Sequence, residues 1–343
     1  MNLRIAERFR PFSHTPGASC LIPGTCWTLQ AFPTLICFSY GLQHFELALK
    51  LSGPVESFTL EQDLEKGCVW VFGRAKEGYF RLRFTAETKG LSILAAKTPE
   101  AGILSSHGVL QPKVSLLIPL DWTVHKPSFL ERLSLGSHKK QDWDMVRRRL
   151  DVKMLLPALL YLAQHVPAAA AKASFFPEKK EDAARQLASF FKAHCTNILV
   201  PRLKDEEHQG LLFSELEKDL EPCSLLYEAA LWGRSLFIES REQHIHLLPH
   251  LPREFDCGRF LNVSVSPWGR LDMEWASSCL RKIVFRSTAD GELFFDWPNK
   301  QDAFRVRVQR FEKGRYQKTT EPFMVKAGTT YFLDRLYSTS GLN

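Results

Sequence analysis

The chain has 343 residues, 45% hydrophobic and 24% charged, with 45 Lys+Arg against 38 Asp+Glu for a formal net charge of +7. These proportions belong to a globular protein of about two domains, at roughly 150 residues per domain, and exclude a disordered, collagen-like or disulfide-framework chain. The mild positive balance permits anionic partners, but its clusters, His138-Lys139-Lys140 and Arg147-Arg148-Arg149, are too brief for a nucleic-acid-binding stripe, so no nucleic-acid partner is expected.

From about Ser19 to Leu120, short runs of aromatic and β-branched residues are separated by turn residues such as Ser52-Gly53-Pro54, Lys66-Gly67 and Lys89-Gly90. A spacing of roughly 8–12 residues between turns predicts an antiparallel sandwich or barrel. Phe80, Leu82 and Phe84 alternate with Arg81, Arg83 and Thr85, which gives that strand one buried and one wet face. Near Asp121 the period changes. A helix is expected over about 141–165, kinked at Pro157. Residues 178–193 form a second, with Ala183, Leu187, Phe190 and Phe191 on one stripe. Residues 222–237 form a third. The most apolar helical stretch, Leu155 to Ala171, contains Pro157, Gln164, His165 and Pro167, so no membrane span is expected.

Alternation returns from His244 onward, and Ala289-Asp290-Gly291-Glu292 is expected to close a hairpin between two of these strands. The predicted fold is therefore mainly β with a central α-helical segment. It comprises an N-terminal antiparallel β sandwich (1–120), a helical connector (121–243) and a C-terminal sandwich-like β domain (244–343).

Eight cysteines are scattered without zinc-knuckle or redox spacing, several in apolar runs, and read as reduced, buried thiols. The start of the chain has no apolar signal core, so a cytoplasmic location is expected. No cofactor or metal is expected. There is no Gly-rich phosphate loop, dinucleotide fingerprint, Gly-x-Ser-x-Gly elbow or His-Glu-x-x-His, and His244 with His246, on one strand face, lack a visible third ligand. Cys20 and Cys26 lie near His14, and a Cys-His nucleophile weighs against the commoner inert core thiol.

The stretch His246-Leu247-Leu248-Pro249-His250-Leu251-Pro252, following a helix, resembles a junction in the α-L-fucosidase group of glycoside hydrolase family 95. There the last helix of the catalytic barrel leads into the strand opening a C-terminal β domain. The resemblance continues through Gly258, Gly269-Arg270-Leu271-Asp272-Met273-Glu274-Trp275, Leu280-Arg281-Lys282-Ile283-Val284-Phe285-Arg286-Ser287 and Ala327-Gly328-Thr329-Thr330-Tyr331, about the last third of the chain. The N-terminal and middle thirds, around Arg8-Phe9-Arg10-Pro11-Phe12 and Ser134-Leu135-Gly136-Ser137-His138, are similar to an uncharacterised family of chlamydia-like intracellular bacteria, which implies no activity. The first resemblance implies a carbohydrate-associated protein on a degenerate glycoside-hydrolase-like scaffold. A barrel of twelve helices needs about 200 residues. The window 121–243 is far shorter, so hydrolysis is expected to be absent.

Inverting hydrolysis needs two carboxyls roughly 6.5–9.5 Å apart across a sugar. The densest polar cluster in the helical part, Arg202 through Asp205, Glu206, Glu207 and Gln209, offers Asp205, Glu206 and Glu207 as catalytic candidates, with Arg202 and Gln209 as ligand contacts; the same composition also describes a solvated interhelix loop. His138, Lys139, Asp142 and Trp143 combine donors, acceptors and a flat aromatic at a helix start, although Asp142 also suits an N-cap and Trp143 a core anchor. Trp268 is a sugar-stacking candidate, or the cap of a core in its Pro-Trp-Gly turn. The partner is accordingly a carbohydrate or, on the alternative of an intracellular interaction or scaffolding protein, an acidic protein met by basic patches.

Overall fold

The computed structural model describes residues 3–5, 7–136, 152–167, 176, 180–193, 197–200, 222–298, 301–309 and 311–337. The protein is mainly β with a central helical segment. Its N-terminal part is two antiparallel sheets face to face. The first is a meander of β2 (Ala18–Leu21), β3 (Thr28–Ala31), β4 (Leu35–Tyr40) and β5 (Gln43–Ala48). The second has the order β1-β6-β7-β8-β9-β12, with β1 (Phe12–Ser13), β6 (Glu56–Asp63), β7 (Cys68–Ala75), β8 (Gly78–Glu87), β9 (Gly90–Lys97) and β12 (Ser115–Pro119). A hairpin of β10 (Ile103–Ser105) and β11 (Gly108–Leu110) stands beside them. Leu29, Ile36, Phe38 and Leu47 from the meander meet Leu60, Val71, Phe80, Leu82 and Phe84 from the larger sheet in one core. This is the packing that period-two alternation dictates, since the arginines between those phenylalanines point the other way.

The C-terminal part pairs a seven-stranded sheet with a four-stranded one. The larger has the order β13-β16-β17-β18-β23-β20-β21, built from β13 (Arg132–Leu135), β16 (Gly258–Val265), β17 (Gly269–Ala276), β18 (Cys279–Ser287), β20 (Ala303–Arg307), β21 (Arg315–Lys318) and β23 (Thr330–Tyr337). The smaller contains β14 (Ile238–Arg241), β15 (His244–Leu247), β19 (Gly291–Asp296) and β22 (Phe323–Val325). β15 and β19 run parallel.

Three helices are described: α1 (Val152–Ala163), α2 (Ala183–Ala193) and α3 (Pro222–Ser235). α1 continues through Pro157, and nearly every one of its residues is buried. The expected stripe of α2, Ala183, Leu187, Phe190 and Phe191, is buried as the 3.6-residue period requires. These helices share a single core with both C-terminal sheets, including Phe237, Phe260, Met273, Trp275 and Phe285. β13, reached before any helix, pairs antiparallel with β16, so the chain enters the C-terminal sheet, leaves it through the helices and returns.

Two expectations are corrected. Asp290-Gly291 does not close a hairpin. β18 lies in the seven-stranded sheet and β19 in the four-stranded one, so the turn carries the chain from one layer to the other. At Gly291, whose φ is +147°, a Cβ would come within 3.0 Å of the Trp268 ring, and Asp290 accepts a hydrogen bond from Ala327 N–H at 2.8 Å. Nor are all thiols free. Cys26 and Cys223 form a disulfide with their Cα atoms 5.7 Å apart, a usual separation for such a bridge. Cys20, Cys37, Cys68, Cys257 and Cys279 are not in disulfides, and Cys195 lies outside the described residues.

No helix among the described residues is long and apolar enough to cross a membrane.

Candidate functional site

The segment between the two β parts is held at both ends. Trp122 donates its indole N–H to Glu87 O (2.7 Å), and His125 N–H bonds Gly24 O (2.8 Å), which fastens the first half to the N-terminal sandwich. The second half runs into β13, where Arg132 pairs with Glu65 at 2.8 Å and lies over the rings of Phe9 and Tyr161. Between these anchors, residues 125–131 form one wall of a cleft of about 500 Å³ whose other walls are the end of α1, one face of α3, and β16 and β17.

Glu131 organises this cleft. The Gln164 amide, one residue past α1, accepts from Glu131 N–H (2.7 Å) and donates to Glu131 O (3.0 Å) and Leu160 O (2.9 Å), so the backbone of 131 is tied to the helix end. The carboxylate takes Arg234 of α3 in a two-point grip, Nε to Oε2 at 2.8 Å and Nη2 to Oε1 at 3.0 Å, and Ser264 N–H to Oε1 at 2.8 Å. Arg234 Nη2 also reaches Ser264 O at 2.6 Å.

β16 is irregular here, its register shifting between Phe260 and Val263. Asn262 adopts φ +58°, a conformation Asn tolerates, with its N–H on Asp272 Oδ1 (2.8 Å) and its side-chain amide on Leu130 O (3.1 Å). The bulge re-aims the strand and leaves Asn262, Ser264 and Arg270 along the cleft. Arg270 lies over the ring of Phe129 with its guanidinium carbon 3.1 Å from the centroid. Phe129 and Leu231 are 58% and 48% exposed, which makes an apolar floor open to solvent.

A larger cavity of about 830 Å³ lies between residues 180–183 and 248–254. Glu239 sits close by, bonded to Lys180 at 2.6 Å. Burial raises the pKa of the Glu239 carboxyl, but the Lys180 hydrogen bond and charge, with His250 and Arg241, outweigh it and hold the group below the usual carboxylate range. This cavity has no Phe, Tyr or Trp in its walls among the described residues, whereas the 500 Å³ cleft combines Phe129 and Tyr227 with convergent planar polar groups.

His138, Lys139, Asp142, Trp143, Arg202, Asp205, Glu206, Glu207 and Gln209 all lie outside the described residues. Trp268 does not offer a stacking face. It is 9% exposed, packed in the C-terminal core, and its indole N–H donates to Glu242 O at 2.7 Å, because its turn folds the ring inward over Gly291. The Cys-His nucleophile is excluded for Cys20 and Cys26. His14 Nδ1 is 2.9 Å from Thr59 Oγ1, Cys20 is fully buried with its thiol pushed well up by desolvation, and Cys26 is bonded to Cys223.

Asp296, some fifty residues along the sequence, is the partner His244 and His246 lacked. Both Nδ1 atoms donate to its Oδ2, at 2.9 and 3.0 Å, and His244 stacks on Phe294 with ring centroids 5.1 Å apart. The two imidazoles thus share one oxygen in a surface clasp, and among the described residues no group of three His, Cys, Asp or Glu is arranged to hold a metal ion.

Sequence reasoning missed Phe129, Glu131, Arg234, Asn262 and Arg270. The available signals are an aromatic ring in a polar Pro- and Lys-containing connector and an arginine at the start of the Gly-Arg-Leu-Asp strand. No protein-family model matches the sequence, and no curated protein matches it either.

Proposed function

We propose that this protein binds a glycan in the cleft between residues 125–131, α3 and β16–β17, and does not hydrolyse it. The observation that carries the reading is the cleft itself, with a solvent-open aromatic and aliphatic floor, Phe129 and Leu231, flanked by Arg270, Asn262 and Tyr227. Sugar rings offer one apolar C–H face and a rim of hydroxyls, which such a floor and such planar donors and acceptors complement. The resemblance of the last third of the chain to a glycoside-hydrolase β domain supports the same class of ligand.

Binding without hydrolysis rests on the carboxylate inventory. Glu131 is the only carboxylate among the described residues lining the cleft, and Arg234 and Ser264 N–H already occupy it. Glycoside hydrolysis needs a second carboxyl across the sugar and one of the two free to move a proton.

Thermal-shift screening against a set of oligosaccharides, followed by calorimetric titration of those that raise the melting temperature, tests the reading, because a ligand of the native state stabilises it by mass action. Binding weakened at least tenfold by Phe129→Ala, with no aryl glycoside or oligosaccharide turned over, is the expected result. A folded protein that binds no sugar, or binding indifferent to Phe129→Ala and Leu231→Ala, overturns it.

A further inference from the structure

We infer that the ligand of this cleft is acidic, a glycan whose sugar units carry a carboxylate or a sulfate. This rests on the glycan reading above and adds the charge of the ligand. The inference comes from which charges at the cleft are already used. Glu131 is neutralised by the two-point contact with Arg234. Asp272, behind Asn262, accepts from Asn262 N–H and from Arg286 Nη2 at 2.6 Å. Two cations remain at the mouth, Lys126 on the connector and Arg270 on β17, and neither makes an ion pair with a described residue.

The placement of Arg270 sharpens the point. Its guanidinium plane covers the Phe129 ring, which fixes the side chain without using its N–H donors, so the edge of the fork stays available to an oxyanion beside the apolar floor. A sugar in the cleft, against Leu231 and the part of the Phe129 ring that Arg270 leaves open, would have Arg270 and Lys126 among its neighbours. A neutral sugar would supply neither cation with a counter-charge. A carboxylate or sulfate on the ring would supply it through charge-assisted hydrogen bonds.

Calorimetric titration of the full chain with three size-matched oligosaccharide sets, neutral hexose, hexuronate and sulfated hexose, tests this. The acidic sets should bind at least tenfold more tightly than the neutral one, and the preference should shrink between 50 and 500 mM salt. Arg270→Gln and Lys126→Ala should each weaken acidic binding by about 10–100-fold, the range of one lost hydrogen bond to a charged group, and weaken neutral binding by less. Arg270→Lys, which keeps charge but loses the planar fork, should fall between. Hexuronate binding alone or sulfated-hexose binding alone identifies the anionic group, and either supports the inference. Neutral sugars bound as tightly as acidic ones overturn it while the glycan reading stands. A folded protein, by circular dichroism, that binds none of the three sets overturns both.

Discussion

Cys26, in the loop between β2 and β3, is bonded to Cys223, in the first turn of α3, across 197 residues of sequence. The bridge ties the N-terminal sandwich to the helix that carries Arg234, so it secures one side of the cleft to the part of the chain that precedes it. Closing so long a loop restricts the unfolded chain strongly. Replacing both cysteines with serine is expected to lower stability by about 2–5 kcal/mol, measured by urea unfolding without reductant, and non-reducing peptide mapping should recover the linked pair. An unlinked pair in protein prepared under oxidising conditions contradicts the bridge.

The Glu131–Arg234 contact predicts an asymmetric mutational response. Side-chain exposures of 18% and 27% make this a largely sheltered pair. Arg234→Ala leaves the carboxylate with Ser264 N–H alone and should cost about 2–4 kcal/mol. Adding Glu131→Gln to that variant removes the stranded charge and should recover part of the loss. A double variant as destabilised as the sum of the two single ones would show that the two side chains are not coupled.

Gly258 has no room for a side chain. A Cβ there would overlap the Trp275 ring and the Ser134 carbonyl, where β13, β16 and β17 meet. Gly258→Ala should therefore destabilise by about 1–3 kcal/mol through forced displacement of packed atoms, despite the usual gain from replacing glycine. Gly41, whose Cβ position is open but whose φ is +56°, provides a control in which backbone strain acts without a clash.

Acid should loosen the C-terminal part in two stages. His165 is kept largely neutral by burial, against the opposing pull of the Tyr161 carbonyl and Glu65, so its folded pKa lies below its unfolded one. A group of that kind stabilises above the unfolded value, about 6.5, and the contribution is lost as pH falls through the folded value. Burial raises the pKa of the Asp334 carboxyl, but hydrogen bonds and charge from Arg305 and Arg307 outweigh it and hold it low; Glu239 is depressed in the same net sense. Their contribution is complete above about pH 5 and disappears as pH falls through the folded values, below about pH 4. Urea midpoints followed from pH 7 to pH 3 should decline in that order, and Asp334→Asn should flatten the lower stage. A midpoint unchanged down to pH 3 would contradict it.

Trp268→Ala should act on folding. Removing a buried ring that also donates to Glu242 O is expected to cost about 3–5 kcal/mol. Trp268→Phe, which keeps most of the volume, should retain ligand affinity within about threefold once the protein is folded. A large, selective loss of affinity in that variant would place the ring at the ligand.

Local repetition carried the class of the fold. The alternation of Phe80, Leu82 and Phe84 with Arg81, Arg83 and Thr85, and the stripe Ala183, Leu187, Phe190 and Phe191, each state which side of an element must leave water, because side-chain direction repeats every two residues in a strand and every 3.6 in a helix. Those two periods account for a β-rich chain with helices in its middle and for much of its core. The sequence by itself could not determine which elements would meet. Asp290-Gly291 has the composition of a hairpin yet bridges two sheets, since strand pairing is decided by how the layers close and not by the turn alone. Asp296 reaches His244 and His246 through the parallel pairing of β15 with β19, Cys26 reaches Cys223 across two parts of the molecule, and Glu131 finds Arg234 and Ser264 more than a hundred residues away. No local period encodes such partners. They are fixed when the hydrophobic faces pack together, and the cleft is assembled from what that packing brings to one place.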